Sequence, residues 1–188
     1  IIPIMFDKGR TEISKWVKIV TELLQKKGIS VQADDRDGYT PGWKFNEWEV
    51  KGIPLRVEIG PKDIAQQQVT VVRRDTGEKE AVPISNADKR VSELLEFVQA
   101  GLYRKAEQLM KKSIVTVETL KEAEKQLSNG KILFAPWCGA VSCEEQFKEK
   151  TTAKSLNSPF AQPTLKKGQT CFACKNPAKA WFYFGKGY

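Results

Sequence analysis

Four cysteines are the residues of this 188-residue chain whose type and spacing most directly predict chemistry. They form two close pairs, Cys138-x4-Cys143 and Cys171-x2-Cys174, which 27 residues separate. A glycine lies inside the first pair and an asparagine–proline step follows the second, so a turn former accompanies each pair. Zn2+ prefers four thiolates about 2.3 Å away in a tetrahedron, which two short loops from distant segments can supply. The spacing therefore predicts a zinc site.

Two alternatives to zinc stay open from the sequence: two disulfides, or four buried thiols without a shared ligand. A chain of this size that shows no sign of secretion makes disulfides the weaker alternative. If zinc is bound, four thiolates fill its coordination shell and leave no position for a substrate. The predicted ion is therefore structural rather than catalytic.

Histidine is absent from the sequence. This excludes serine–histidine and cysteine–histidine nucleophile pairs, as well as zinc helices of the His-x-x-x-His type, within these residues. Neither of the common glycine-rich phosphate-binding motifs occurs. The chain alone is therefore a poor candidate for an enzyme, including a free-standing metalloenzyme.

The net charge is +8 and the isoelectric point is about 9.3. Residues 131–188 contain nine lysines and three glutamates, a net charge of +6, which leaves +2 for residues 1–130. Such a balance favours a polyanionic partner. The alternative is that the lysines only keep the surface soluble.

The first half of the chain shows an α/β pattern. A short apolar run at residues 1–6 predicts a strand, helical spacing predicts a helix at 11–28, and alternation predicts a strand at 29–33. This order implies a right-handed crossover and a parallel strand pair. Further predicted elements are a helix at 41–51, strands at 55–59, 69–74 and 79–84, and a long amphipathic helix from 87 to 112 with an apolar stripe that includes Leu102 and Leu109.

A second unit is predicted to begin after residue 112, which gives domains 1–112 and 113–188. Its predicted elements are a helix at 119–127, a strand at 132–137, a helix at 144–150, a loop at 155–168 and a strand at 180–185. No apolar run approaches the roughly 20 residues that cross a bilayer, so we expect no membrane segment. The chain begins within IIPIMF without an initiator Met, and we expect it to be a piece of a longer polypeptide.

A resemblance to a known family is carried by the stretch DDRDGYTPGWKFNEWEVKGIPLRVEIGPKD at residues 34–63, together with VVRRDTGEKE at 71–80. These residues resemble the anticodon-binding domain of class II prolyl-tRNA synthetases of the archaeal and eukaryotic type. The two cysteine pairs and the ending FYFGKGY resemble that family's C-terminal zinc-binding domain. The resemblance implies an α/β fold with a mixed five-stranded sheet flanked by helices, followed by a small α+β zinc-binding domain.

The resemblance also implies a function for the parent protein. It would be a cytoplasmic, homodimeric proline–tRNA ligase whose N-terminal catalytic domain, absent from this chain, uses ATP and Mg2+ to attach proline to tRNA. This chain would recognise proline tRNA without being catalytic itself. The alternative is an accessory or regulatory RNA-binding protein that reuses the anticodon-binding fold, because fold does not settle function. A class II catalytic domain encoded upstream of Ile1 would decide between them.

Proline codons begin with CC, so the anticodon of every proline tRNA carries two guanines. Proteins that bind single-stranded RNA stack its bases and contact their edges. The Watson–Crick edge of guanine has two N–H donors beside one carbonyl, so carboxylates and cations complement it. The resemblance implies anticodon contacts at six positions: Phe45, Glu49, Arg56, Lys62, Asp63 and Lys79. We assign stacking to the phenylalanine, the guanine donors to the two acids, and base oxygens or phosphates to the three cations.

Each assignment has an ordinary structural alternative. Phe45 is then a core residue, Glu49 and Arg56 form a surface ion pair, and Lys79 is solvated. For Trp43 and Trp48 we predict the opposite preference, with both rings in the core.

The last residue, Tyr188, has a role that only the resemblance implies. In the family, the C-terminal carboxylate and aromatic ring fold back toward the catalytic domain. The chain ends Gly-Lys-Gly-Tyr where the family suggests Gly-Arg-Ser-Tyr, so the tyrosine is kept while its neighbours differ. A frayed terminus is the alternative.

Overall fold

Residues 1–4 and 9–187 are described by the computed structural model. The chain divides into two units, Ile1–Lys105 and Ala106–Tyr188. The predicted boundary after residue 112 lies later in the same helix and stays a prediction. The end of the predicted strand at 1–6 and Tyr188 lie outside the described residues. Among the described helices, none combines the length and the apolar character needed to span a bilayer.

Within its described residues, the first unit is a mixed α/β unit with four strands. In chain order its elements are β1 (Ile2–Pro3), α1 (Arg10–Lys26), α2 (Pro41–Val50), β2 (Leu55–Ile59), α3 (Pro61–Ala65), β3 (Gln68–Arg73), β4 (Lys79–Pro83) and α4 (Ala87–Ser113). The sheet order is β1-β2-β3-β4, with β1 parallel to β2 and the other pairs antiparallel. The predicted α/β class is confirmed, and α3 is a helix that the sequence patterns did not indicate.

The predicted fifth strand at 29–33 is not a strand in the structure. Gln32 within it and Asp34 just after it nevertheless bond to Ile1, whose amino group donates to Gln32 O at 2.7 Å and whose carbonyl accepts from Asp34 N at 2.9 Å. Two such bonds are too few for a ladder. The described parallel partner of β1 is therefore β2, which follows α2 in the chain.

The two faces of this sheet differ in polarity because side chains alternate along each strand. One face carries buried valines and isoleucine and packs with α1 and α4 in the core. The opposite face carries Arg56, Glu58, Thr70 and Lys79 beside Val72, and we call it the polar face. The apolar stripe of α4 is buried from Ala87 to Val98. Beyond that point Leu102 and Leu109 are exposed, contrary to the prediction of one continuous stripe.

The second unit contains a four-stranded sheet with helices on its flank. Its elements are β5 (Ile114–Thr116), α5 (Leu120–Ser128), β6 (Ile132–Trp137), α6 (Val141–Thr151), β7 (Ala153–Ser155) and β8 (Ala180–Lys186). The sheet order is β5-β6-β8-β7, with β5 and β6 parallel. The predicted α5, β6, α6 and β8 are confirmed, whereas the short edge strands β5 and β7 were not predicted. Three of the four cysteines are buried in its core beside Phe147, Phe172 and Phe184.

Candidate nucleic-acid interface and metal centre

Arg56 lies at the centre of a cluster that joins α2 to β2. Its Nε donates to Glu58 Oε1 at 2.9 Å, and its Nη1 donates to Glu49 Oε1 at 2.6 Å. Its guanidinium carbon lies 4.1 Å from the centroid of the Phe45 ring. Phe45 and Glu49 are four residues apart on α2 and therefore share one side of that helix. The structure thus brings three of the six predicted contact residues together.

Lys79 and Glu58 extend this cluster across the sheet. Lys79 Nζ lies 3.5 Å from Glu58 Oε1, the oxygen that also accepts from Arg56. Arg56 and Lys79 both pair with Val72 of β3, so they project from the same face. Glu58 was not predicted as a site residue, although its place two residues after Arg56 on a strand was the available signal. The Arg56 cluster comprises Phe45, Glu49, Arg56, Glu58 and Lys79.

The four cysteine thiols form a second candidate site. Their sulfur atoms all lie within 4.8 Å of one another. The Cys143 and Cys171 sulfurs are 3.8 Å apart, and the Cys138 and Cys174 sulfurs are 3.6 Å apart. Four sulfurs about 2.3 Å from a tetrahedral ion would be separated by about 3.8 Å, so this group could hold a metal ion. The spacing exceeds the ~2.05 Å of a disulfide bond, and all four cysteines are free.

Two local turns present these thiols. Cys138 directly follows β6, and Cys143 lies in the first half of α6. Cys171 N donates to Asn176 O at 2.7 Å, which closes a turn whose Lys175 has a φ of 66°. Burial raises the pKa of the Cys143 thiol above its ordinary value. An ion in the group would oppose this effect, because thiolates are stabilised by direct coordination to a cation.

Two family models match the chain. "Anticodon binding domain" matches residues 1–94, and "Prolyl-tRNA synthetase, C-terminal" matches residues 120–188. The chain belongs to the anticodon-binding domain family. Residues 120–188, which lie in its second unit, are similar to the C-terminal region of prolyl-tRNA synthetases. The resemblance drawn from the motifs is thereby confirmed.

Curated relatives agree with these matches. A cytoplasmic proline–tRNA ligase of Arabidopsis thaliana is 41% identical over 194 residues, which cover 100% of this chain and 37% of the relative. A proline–tRNA ligase of Oceanobacillus iheyensis is 44% identical over 167 residues, covering 88% of this chain and 34% of the relative. A bifunctional glutamate/proline–tRNA ligase of Cricetulus griseus is 41% identical over 174 residues, which cover 85% of this chain and 12% of the relative. The chain therefore spans a minor part of each relative.

Asp63 of the anticodon-binding domain is buried rather than presented to solvent. Its Oδ2 accepts from Gly60 N at 2.9 Å and caps α3, while its Oδ1 accepts from Thr70 Oγ1 at 2.8 Å. These bonds attach α3 to the polar face and position Lys62, which is exposed. Both carboxylate oxygens therefore already have hydrogen-bond partners in the protein. A direct contact between Asp63 and guanine stays a prediction.

An ion cluster around the buried Asp34 holds α2 in the anticodon-binding domain. Asp34 is 3% exposed and accepts from Arg36 Nε at 2.9 Å, Arg36 Nη2 at 2.8 Å and Trp48 Nε1 at 2.8 Å. The buried Lys44 donates to the Asp34 carbonyl at 3.0 Å. Arg36 also pairs with Glu47. The hydrogen bonds from Arg36 hold the pKa of the Asp34 carboxyl well below its ordinary value, against the opposing effect of burial.

The prediction that Trp43 lies in the core is wrong. The residue is 44% exposed, and its ring stacks on Tyr39 with centroids 4.1 Å apart. Residues two apart on a helix are separated by about 200°, so Trp43 points away from β2 when Phe45 faces it. The buried position of α2 is taken instead by Lys44, and Trp48 is half-buried.

Proposed function

We propose that this chain is the anticodon-recognising, metal-holding C-terminal part of a proline–tRNA ligase. The observation that carries the proposal is the convergence of Phe45, Glu49 and Arg56 within a domain of the anticodon-binding family. The parent would attach proline to tRNA in a catalytic domain that lies outside this chain. The relatives match over nearly the full chain and are ligases, which favours this function over an accessory protein that reuses the fold.

The chemistry of the Arg56 cluster suits an unpaired guanine. Glu49 has a side chain 47% exposed and can accept from the two N–H donors of the base. Arg56 can donate to the guanine carbonyl, and its guanidinium plane or the Phe45 ring can stack on a base. Lys79 and Lys62 are exposed and would meet base oxygens or phosphates. A surface that carries both hydrogen-bond acceptors and cations would bind guanine selectively, whereas cations alone would attract the phosphate of any nucleotide.

We propose that the cysteine group holds a structural Zn2+. Cys138, Cys143, Cys171 and Cys174 would supply four thiolates and fill the coordination shell of the ion. The ion would stabilise the second unit without taking part in ligation. ATP and Mg2+ would be used by the absent catalytic domain.

The partners follow from this function. Proline tRNA would be the RNA partner, and the parent's own N-terminal catalytic domain the protein partner. The parent would act as a cytoplasmic homodimer, with domains at 1–112 and 113–188 in this chain.

Arg56→Lys should weaken the binding of proline tRNA by roughly 10- to 100-fold, because a lysine cannot hold the planar, two-sided contact of a guanidinium. The matched control is Arg90→Lys. Arg90 donates to Glu80 at 2.6 and 2.9 Å and to Glu93 at 3.0 Å, on the opposite side of the sheet. Arg90→Lys should leave the dissociation constant for proline tRNA within about twofold of the wild-type value. Dissociation constants on the full-length polypeptide measure both effects.

The same assay tests the anticodon itself. Exchange of the two anticodon guanines for adenines should weaken binding to the wild-type protein and make the Arg56→Lys effect disappear. Equal binding of the native and the exchanged tRNA would contradict anticodon recognition.

Deletion of Tyr188 from the full-length enzyme should lower charging of tRNA more than tRNA binding. The proposed reason is that the C-terminal residue contacts the catalytic domain rather than the RNA. Rates of proline attachment and dissociation constants, measured on the same preparation, give the two numbers. Equal losses in both would count against this role.

A further inference from the structure

Arg56 is held by two carboxylates that differ in their contact with water. The Glu49 side chain is 47% exposed, whereas the Glu58 side chain is 8% exposed. An exposed ion pair contributes little, because water competes for both charges. A buried pair is far costlier to break, since an unpaired charge would then remain in the interior. The two bonds to Arg56 are therefore unequal.

Glu58 also serves a second cation. Its Oε1 accepts from Arg56 Nε at 2.9 Å and lies 3.5 Å from Lys79 Nζ. Without the carboxylate, the cations of Arg56 on β2 and Lys79 on β4 would lose the oxygen that lies between them on the polar face. Like charges at this distance repel, and Lys79, which is 55% exposed, would move into solvent. Glu58 therefore keeps Arg56 and Lys79 in one arrangement.

We propose that Glu58 is a positioning residue for base recognition, while Glu49 is the carboxylate that exchanges its partner. On binding, Glu49 leaves Arg56 and accepts from the N–H donors of guanine. Arg56 stays on the Phe45 ring, because Glu58 holds its Nε. This frees the Nη1 of Arg56 for the guanine carbonyl. The inference deepens the proposed function and rests on it.

The charge balance of the Arg56 cluster supports this exchange. Two carboxylates and two cations face one another on the polar face, so the cluster is neutral before guanine arrives. Guanine is also neutral, and Glu49 stays within the cluster when it exchanges its hydrogen bond with Arg56 for hydrogen bonds with the base. No charge is brought in or left behind. The exchange therefore replaces one charge-assisted hydrogen bond of Glu49 with two.

Glu58→Gln tests the proposal, because glutamine keeps the shape and removes the charge. The full-length polypeptide is titrated with native proline tRNA and with tRNA whose two anticodon guanines are adenines. We expect the ratio of the two dissociation constants to fall by roughly 30-fold or more in this variant. Glu80→Gln is the matched control, since Glu80 pairs with Arg90 on the other side of the sheet, and it should leave the ratio unchanged.

A spectroscopic readout separates positioning from a purely structural role. The 1H–15N resonance of Arg56 Nε should be protected from exchange in the wild type and in Glu49→Gln, and should lose protection in Glu58→Gln. Glu49→Gln should nevertheless lower the ratio, because its carboxylate meets the base. If Glu58→Gln does not fold, Glu58→Asp keeps the charge with a shorter reach and should reduce the ratio to an intermediate value.

The outcomes distinguish this inference from the function on which it rests. A wild-type protein that binds both tRNAs equally would overturn the anticodon function itself. The second case is a wild-type protein that discriminates between the two tRNAs, together with a folded Glu58→Gln or Glu58→Asp variant that has the same ratio of dissociation constants. This result would overturn only the role of Glu58. Protection of Arg56 Nε that persists in Glu58→Gln would overturn it as well.

Discussion

Removal of the metal by a strong chelator should unfold the Ala106–Tyr188 unit, while the Ile1–Lys105 unit keeps its own structure. Cys138, Cys143 and Cys171 are buried in the hydrophobic core of the second unit, so an ion bound to them would be part of that core. Structural zinc contributes about 10–16 kcal/mol in small zinc-binding peptides, which matches or exceeds the ~5–15 kcal/mol stability of a typical domain. The loss of this free energy should therefore be large enough to abolish cooperative folding of the second unit.

Metal analysis and circular dichroism measure this effect. The purified protein should contain about one zinc ion per chain. Chelation should abolish the near-ultraviolet signal of Trp137 and Trp181, which both lie in the second unit. Cys143→Ser should reproduce the loss, and its exposed neighbour gives the control, Ser142→Ala, which should keep both the metal and the signal. Protein without zinc and without free thiols would instead indicate disulfides, and an unchanged signal after zinc removal would contradict a structural role.

Asp34→Asn should cost about 3–5 kcal/mol of unfolding free energy, the second largest effect that we expect. The substitution leaves Lys44 buried without a nearby carboxylate, and it removes the two-bond contact with Arg36. Asp35→Asn is the matched control, because Asp35 is the next residue and is exposed. Urea unfolding of the two variants gives the difference. Equal unfolding free energies of Asp34→Asn and Asp35→Asn would contradict the stabilising role of Asp34.

The same carboxyl makes stability depend on pH. Its pKa in the folded protein lies well below the ordinary value of 3.8, so the folded state holds it ionised more strongly than the unfolded state does. The stabilisation is fully present above the unfolded pKa and is lost as the pH falls through the folded pKa. Unfolding free energies should therefore fall below about pH 4, and Asp34→Asn should show a weaker decline than the wild type.

The sequence was sufficient wherever a local pattern has only one structural solution. Thr40 before a proline predicted the start of α2, and its Oγ1 does accept from Trp43 N at 3.3 Å. Alternation predicted β2, and the turn at residues 75–77 predicted the hairpin of β3 and β4. The cysteine spacing predicted a single group, because two short turns in one small unit have little freedom to place their thiols elsewhere.

The family motif also predicted which residues would share a surface. Phe45, Glu49 and Arg56 meet in the structure, although nothing in their spacing alone requires a helix residue to face that strand. Glu58 was not predicted because it is not among the six contact positions that the resemblance implied. Its contact with Lys79 follows only from the pairing of β2 with β3 and of β3 with β4, which brings the lysine of β4 to 3.5 Å from the Glu58 carboxylate.

What the sequence by itself determined is the order of the longer helices and strands, their periodicity, the cysteine group and the family. Only the tertiary structure decided which side of each element is covered. A helical pattern cannot show that α2 turns Phe45 toward the sheet and leaves Trp43 in solvent. That orientation depends on Asp34, which lies outside α2 and accepts hydrogen bonds from Arg36 and from Trp48 of α2. Burial, pairing and charge are properties of two or more segments together, so no single stretch of sequence contains them.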